Sequence, residues 1–359
     1  MSPGPGDLLR SEELRPDVAG SRAWRVLFVS RDLLGRVTRS TGIVVAPDGE
    51  GAERPVIVWC HGTTGLGDAA VPSRQPQPAG ELITFPEPVG ADQVDRGVPG
   101  IEAYLAAGAV VVAPDYQGLG TEGFHHYCVH GTGARDAVNA VRSARCIEGT
   151  GAGERFAALG WSEGGGMALG VAELPDDDLA GLDLRGVATF APGVPALAFA
   201  VDRSTVVSEA ALAEVHVVML VAAHGWLFDD LDPLDLLAPP VVELLGREWD
   251  RLPSHLLGAE LSAAAARGPV LAAEPRNVER WIARLRSGSA GRSRPTVPVH
   301  VATGTADVTV PPSWQQAYVD AAVALGGRVH HELFPGAGHC DVPFVASPAA
   351  EGFLLDLLG

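Results

Sequence analysis

Short apolar segments alternate with helix-like segments along most of this chain, and this alternation restricts the fold more than any other feature of the sequence. The segment VIVWC at residues 56–60 is apolar at every position, which is typical of a strand buried on both faces. Similar strand-like segments, separated by helix-like ones, follow at residues 109–114, 155–160, 185–190, 297–303 and 329–334. The repeating βα pattern predicts an α/β protein with a mostly parallel central sheet and helices on both faces.

The alternation stops between residues 193 and 294, where the chain is rich in Ala and Leu and its sequence pattern is mostly helix-like. Because strand-like segments flank this stretch, we interpret it as a helical cap inserted into a single α/β domain. The predicted division is an N-terminal lead-in at 1–22, a core at 23–192 and 295–359, and a cap at 193–294. Residues 63–99 are rich in Pro and Gly, and loops of this length are typical of functional sites.

The charge of the chain disfavours two classes of partner. It carries 44 acidic and 26 basic side chains, all of the basic ones Arg, for a net charge of −18. A strongly acidic surface repels the phosphates of nucleic acids and of anionic membranes, so neither is expected as a partner.

No apolar run reaches the roughly 18 residues of a membrane-spanning helix, so no membrane anchor is expected. The N-terminus lacks the apolar segment of a signal peptide. A cytoplasmic location is therefore predicted for the chain as given, with secretion left open if a leader was removed. The oligomeric state is also left open.

Cysteine spacing predicts neither a metal site nor a disulfide framework. The chain has four cysteines, Cys60, Cys128, Cys146 and Cys340. Free thiols are expected, and one Cys128–Cys146 disulfide is left open. His125, His126 and His130 lie near Cys128, but no carboxylate or second cluster completes a spacing typical of zinc, so no metal is expected there.

The strongest chemical motif is GWSEG at residues 160–164, which follows the apolar segment RFAAL and precedes the helix-like segment GGMALGVAEL. In a strand–turn–helix setting, GxSxG is typical of a nucleophile elbow, a tight turn that lifts the serine hydroxyl clear of the sheet. Ser162 is therefore the predicted nucleophile. The alternative interpretation is a glycine-rich packing turn without a chemical role.

A serine hydroxyl is a poor nucleophile without a base, and in this kind of site the acid precedes the histidine in sequence. Asp307 ends the motif GTAD after the strand-like VPVHVAT, and His339 ends the motif GAGH after VHHELF. Because the carboxyl ends of parallel strands meet at one edge of the sheet, these groups are expected to converge on the nucleophile. Asp341 is too near His339 in sequence to orient it easily, and Asp320 lies inside a predicted helix.

The negative charge that develops on a substrate oxygen needs backbone N–H donors. Glu163, which follows the nucleophile, is predicted to supply one donor. The loop HGTTG after VIVWC is predicted to supply the other donor, since its glycines allow the backbone to approach closely. Within this loop Thr63 is the preferred donor and Gly62 the second choice. Residues expected to contact the substrate lie beside these motifs or in apolar cap segments: His61, Tyr116, Trp161, Met219 and Trp226.

The combination of HGTTG, APDYQGLG at residues 113–120, GWSEGGG at 160–166 and GxxD…GAGH resembles the secretory lipases, α/β-hydrolases related to fungal lipase A that include bacterial members. The resemblance runs from about residue 24 to the C-terminus. It implies an α/β-hydrolase fold with a helical cap between the sixth and seventh strands. Members of this family are typically exported.

Together the motifs predict a serine carboxylic-ester hydrolase, an esterase or lipase, acting through an acyl-enzyme on small to medium apolar acyl esters. Neither a cofactor nor a metal is expected, and the partner is a small-molecule ester. The same triad could instead pass the acyl group to an alcohol or amine, or cleave amides as a peptidase, and both alternatives stay open. The intact set of catalytic residues disfavours a non-catalytic binding protein.

Overall fold

A computed structural model of the chain describes residues 3–16, 18–74, 97–201 and 215–359. Parts of the long loop predicted at 63–99 and of the helical cap predicted at 193–294 lie outside the described residues. Nine strands of the described chain form one sheet: β1 Leu8–Leu14, β2 Ser21–Arg31, β3 Val37–Pro47, β4 Arg54–Cys60, β5 Val110–Pro114, β6 Ala152–Trp161, β7 Asp183–Phe190, β8 Val299–Gly304 and β9 Val329–Phe334.

The strands lie in the order β1-β2-β3-β5-β4-β6-β7-β8-β9. Strands β1 to β3 pair antiparallel, and β3 is also antiparallel to β5. All further pairs are parallel. The predicted mostly parallel sheet is therefore confirmed. Parallel pairing brings the carboxyl ends of β4, β6, β8 and β9 to one edge, where open α/β sheets bind their ligands.

The N-terminal lead-in predicted at 1–22 contains a strand that the sequence did not predict. Residues Leu8–Leu14 form the edge strand β1, paired with β2 from Leu14↔Ala23 to Leu8↔Phe28. The sequence LLRSEEL gave no strand signal because most of its side chains are exposed, so the alternation of apolar and polar residues is missing. Charged residues on an exposed edge strand also hinder pairing with another chain.

Helices pack on both faces of the sheet, and none in the described residues is long and apolar enough to cross a membrane. Their bounds are α1 Ile101–Ala106, α2 His130–Arg145, α3 Glu163–Ala172, α4 Asp176–Leu179, α5 Pro195–Val201, α6 Val215–Leu227, α7 Pro239–Glu248, α8 Ser254–Ala265, α9 Val278–Gly288, α10 Pro312–Ala324, α11 Val342–Val345 and α12 Ser347–Leu358.

The apolar segment in β4 separates the two halves of the core. Val56 and Val58 point into a cluster formed with α2, α3 and α10, whereas Ile57 and Trp59 point into a cluster formed with α1 and α12. Successive side chains of a strand face opposite sides of the sheet, so a strand covered on both faces must be apolar throughout. Each such side chain contributes about 1.5–3 kcal/mol on burial.

Between β7 and β8 the chain leaves the sheet and forms the insert, residues 193–294, which contains helices α5 to α9. Its apolar side chains form a third buried cluster, distinct from the two that flank the sheet. The insert also contacts the loop after β4: the Ser254 amide donates to the Thr64 carbonyl at 2.7 Å, and Pro253 bridges Gly65. It therefore lies against the sheet edge to which β4 and β6 point.

All four cysteines are free thiols. Cys128 is buried in the loop before α2, whereas Cys146 is exposed at the C-terminal end of that helix. The Cys128–Cys146 disulfide that the sequence left open is therefore not formed. Burial raises the pKa of the Cys60 thiol to about 12, so this group is a packed apolar side chain and not a reactive thiolate.

Candidate active site

Ser162 lies in the turn between β6 and α3 with φ 57° and ψ −120°, a left-handed backbone that non-glycine residues rarely adopt. The flanking glycines make this turn possible. A Cβ atom at Gly160 would collide with the carbonyl of Gly164, and one at Gly164 would collide with the carbonyl of Cys60. The local geometry is that of a nucleophile elbow, with the serine at the N-terminus of a helix.

The backbone of Ser162 is fixed from two sides. Its amide donates to the Phe190 carbonyl at 3.0 Å, and its carbonyl accepts from the Gly193 amide at 2.7 Å. The side-chain oxygen lies 2.9 Å from His339 Nε2. The strained conformation is thus held by β7 and by the first residue of the insert, which leaves the hydroxyl in one position relative to the histidine.

His339 connects Ser162 to Asp307. Its Nδ1 lies 2.8 Å from Asp307 Oδ2, and the carboxyl group is buried. An ionised carboxylate only accepts hydrogen bonds, so Nδ1 carries the ring proton and the lone pair of Nε2 faces the Ser162 hydroxyl. This tautomer is the one that a general base requires.

The Asp307 carboxylate is held by its own loop. Oδ1 accepts from the amides of Thr309 at 2.9 Å and Val310 at 2.8 Å. Gln315 Nε2 donates to Oδ2 at 3.2 Å. These donors fix the plane of the carboxylate, so that the oxygen facing the imidazole cannot rotate away.

The other acids considered from the sequence lie elsewhere. Asp341 Oδ2 accepts from the Gly338 amide at 2.9 Å, and Asp320 Oδ1 accepts from Gln316 on the same helix. Asp307 is therefore the carboxylate that the structure brings to the His339 ring.

The predicted oxyanion donors lie in two different elements. Thr63 is buried in the loop after β4, and Glu163 begins α3. Neither backbone N–H donates to an acceptor within the described part of the chain. At Gly62 a Cβ atom would collide with the Trp161 ring, so glycine at this position lets the loop pack directly against the strand that carries the nucleophile.

Three residues predicted to contact substrate are buried beside the catalytic residues. His61, Tyr116 and Trp161 are each 1% exposed. The Tyr116 hydroxyl donates to the His61 carbonyl at 3.0 Å, and Trp161 Nε1 donates to the His339 carbonyl at 3.1 Å. Burial lowers the pKa of His61 to about 4, which keeps the ring neutral. Proximity to the motifs in sequence placed these residues at the site but did not reveal on which side of the loop they lie.

The two residues predicted from the insert have different surroundings. Met219 is fully buried in the third apolar cluster. Trp226 makes edge contacts with Phe124 and Trp249, with ring centroids 5.2 and 5.9 Å apart. These contacts join the insert to the loop before α2. No described contact brings Met219 or Trp226 to the Ser162 hydroxyl.

A buried pair beside the nucleophile was not predicted from the sequence. His125 Nε2 lies 2.6 Å from Glu163 Oε1, and both side chains are almost fully buried. The Cys128 amide donates to the same oxygen at 3.2 Å. From the sequence, the histidines and cysteine at 125–130 are expected to belong to a loop lining the pocket and not to a metal site. In the structure, His125 and the Cys128 amide contact Glu163, the residue that follows the nucleophile.

One group of potential metal ligands occurs in the described residues: His300, His330 and Glu332, whose ligand atoms lie within 4.8 Å of one another. His300 Nε2 lies 3.1 Å from Glu332 Oε2, and the two imidazoles are stacked with centroids 5.2 Å apart. Zinc with bonds of about 2.0–2.1 Å would need these groups to move closer together. The contacts are those of a hydrogen bond and a ring stack.

The chain was compared with known protein families, curated proteins and solved structures. No protein-family model matches the chain, and no curated protein matches its sequence. Among solved structures, lipase A of Candida antarctica in its closed state is similar over 99% of this chain and 83% of that chain, with 15% identity and a TM-score of 0.75. The rice cell wall degrading esterase LipA of Xanthomonas oryzae is similar over 99% and 97% of the two chains, with 17% identity and a TM-score of 0.70.

These similarities establish the architecture. The chain has the α/β-hydrolase fold, as predicted, and its resemblance to the lipase A type is confirmed at the level of the fold. Because unrelated activities share this fold, the activity has to be argued from the site itself.

Proposed function

We propose that this protein is a serine carboxylic-ester hydrolase that works through an acyl-enzyme. The observation that carries the proposal is the unbroken hydrogen-bonded series Asp307–His339–Ser162 at a strained nucleophile elbow. Nucleophile, base and orienting acid lie within hydrogen-bond reach in the order that acyl transfer needs. The similar solved structures include an esterase and a lipase, which agrees with this chemistry.

In the acylation step, the Ser162 oxygen attacks the ester carbonyl carbon while His339 Nε2 takes the hydroxyl proton. Asp307 holds the ring in the required tautomer and stabilises the imidazolium that forms. The carbonyl electron pair moves onto oxygen, and the backbone amides of Thr63 and Glu163 are assigned to that oxyanion. Loss of one such donor typically costs about 10²–10³ in turnover.

Collapse of the tetrahedral intermediate breaks the bond to the leaving alcohol, which takes the proton from His339. Water then enters, gives its proton to His339 and attacks the acyl carbon. The second intermediate collapses to the carboxylic acid and restores the Ser162 hydroxyl. This sequence uses only groups of the chain and needs no cofactor.

We assign coverage of the site to the insert, residues 193–294. Its first residue bonds the Ser162 carbonyl through the Gly193 amide, and Ser254 bonds the loop that carries Thr63. The insert is thus joined both to the nucleophile turn and to the loop after β4. An apolar insert at this position fits small to medium apolar acyl groups, because each buried methylene contributes about 0.8 kcal/mol to binding.

A series of p-nitrophenyl esters from acetate to palmitate tests this function, with added alcohols and a matched anilide in parallel. Hydrolysis of the esters, with slow or no anilide cleavage and free acid as main product, supports the proposal. Acyl transfer to the alcohol as the dominant reaction would make the protein an acyltransferase. Faster anilide than ester turnover would make it an amidase, and either result would overturn the proposal.

A further inference from the structure

A short segment before α2, residues 125–128, contacts both halves of the assigned oxyanion site. On the side of the β4 loop, the Tyr127 hydroxyl lies 3.0 Å from Thr63 Oγ1. The His125 amide also donates to the Leu66 carbonyl at 2.8 Å. On the side of α3, His125 and the Cys128 amide both bond Glu163 Oε1. We call residues 125–128 the clamp segment.

The backbone of the clamp segment is bent to reach both sides. Cys128 has φ 56°, a left-handed conformation that costs a non-glycine residue stability. The bend lets Tyr127 reach towards Thr63 while the next amide points at Glu163. His125 is supported from behind by Tyr116, whose ring is stacked on it with centroids 5.5 Å apart. Strained backbone of this kind persists only where surrounding contacts hold it.

Hydrogen bonding fixes the protonation of the buried pair. His125 Nδ1 lies 3.2 Å from the Gln117 carbonyl, which only accepts, so Nδ1 carries a proton. Nε2 faces a carboxyl oxygen at 2.6 Å, and that contact requires one further proton between the two atoms. The pair therefore holds one shared proton and carries no net charge. Without His125, an ionised Glu163 would lie one residue from the nucleophile and oppose the negative charge of the oxyanion.

We propose that the clamp segment is a positioning element for the oxyanion site, in which Tyr127 fixes Thr63 and His125 both fixes and neutralises Glu163. The inference rests on the proposed serine chemistry and deepens it. None of these side chains touches the substrate in this account. They act by holding two backbone amides at the separation that the oxyanion needs and by removing a charge that would oppose it.

The first test replaces Tyr127 with phenylalanine, which removes only the hydroxyl. The matched control is Tyr318→Phe, because Tyr318 is also buried and its hydroxyl also points at a side-chain oxygen, at Glu173, far from this segment. The free energy of one buried hydrogen bond corresponds to about a factor of ten in rate. For Tyr127→Phe we therefore expect kcat to fall about tenfold, with KM within about twofold of the wild-type value. Unchanged kcat in Tyr127→Phe, or an equal fall in Tyr318→Phe, would overturn the proposal.

The second test separates charge from packing. His125→Phe leaves the Glu163 carboxylate without its partner, and we expect it to weaken inhibition by a trifluoromethyl ketone, whose adduct with Ser162 carries an oxyanion, by at least about tenfold. Adding Glu163→Gln removes the charge and is expected to restore part of that affinity. A double variant weaker than His125→Phe would contradict neutralisation. If His125→Phe does not fold, Tyr127→Phe and its control still decide the positioning role.

The rate at which a fluorophosphonate labels Ser162 keeps this inference separate from the proposed function. Labelling needs the oxyanion site but does not depend on which ester is the substrate. A wild-type protein that is labelled but hydrolyses no ester would refute the function and leave the clamp open to measurement. Equal labelling rates for the wild type and Tyr127→Phe, with ester hydrolysis intact, would refute the clamp alone.

Discussion

Acidification should destabilise this protein steeply, because four histidines are buried in neutral form. Burial lowers the pKa of His61 and His224 to about 4, and that of His126 and His130 to about 3. Near-neutral pH imposes no penalty, since the unfolded histidines, with pKa near 6.5, are then also mostly neutral. As the pH falls below about 6.5, these histidines bind protons in the unfolded chain but not in the folded chain, so the free energy of unfolding decreases.

The size of the effect follows from the shifts. At pH 4.5 each of these histidines costs about 2.5 kcal/mol relative to neutral pH. Two buried carboxyl groups oppose the loss, because burial raises the pKa of Asp115 to about 6 and that of Asp136 to about 7. These groups take up protons in the folded state and stabilise it as the pH falls, which offsets roughly half of the histidine cost. The expected net loss is about 5 kcal/mol, comparable to the whole stability of many domains.

Urea unfolding followed by circular dichroism at pH 7.5, 6.0, 5.0 and 4.5 measures this loss. His224→Phe, which removes one buried titrating group, should shift the acid transition to lower pH. His330→Gln, at an exposed position, should leave it unchanged. A free energy of unfolding that stays constant from pH 7.5 to 4.5 would refute the reasoning, as would equal behaviour of the two variants.

Three further predictions concern single side chains. Gly62→Ala should lower kcat by about 10² or more, because the new methyl group meets the Trp161 ring and displaces the Thr63 amide. A folded variant with turnover within twofold of the wild type would contradict this. Asp307→Asn should lower kcat by roughly 10⁴, whereas Asp341→Asn should stay near wild type; the reverse order would reassign the acid. Met219→Ala should lower the free energy of unfolding by about 2–5 kcal/mol, because Met219 is fully buried in the insert. A change in acyl-chain preference without loss of stability would instead place Met219 at the substrate.

The sequence predicted that Ser162, Asp307 and His339 would lie close together, because each follows a segment with a strand pattern. Local patterns identify such strands, and parallel pairing then brings their carboxyl ends together. Ser162, Asp307 and His339 meet although 177 residues separate the serine from the histidine. The same logic predicted the loop that carries Thr63.

The rest of the site depends on contacts between distant residues, which local sequence patterns do not predict. The pair between His125 and Glu163 joins residues that are 38 positions apart, and the nearby backbone at Cys128 is left-handed. The edge strand β1 was not predicted, because most of its side chains are exposed and its sequence lacks the alternation of apolar and polar residues. His61 and Tyr116 lie in the expected loops, yet which face of a loop a side chain takes is decided by packing, and both turn into the core.

The central claim is that Ser162 forms a covalent acyl intermediate, and mass spectrometry of the intact protein tests it most directly. A fluorophosphonate should add one phosphonyl group per chain, located by peptide mapping at Ser162, and rapid quenching with a p-nitrophenyl ester should trap an acyl adduct on the same peptide. Ser162→Ala should show neither adduct and should lose turnover by roughly 10⁶. Ester hydrolysis that persists in Ser162→Ala, or an adduct found on another residue, would contradict the account.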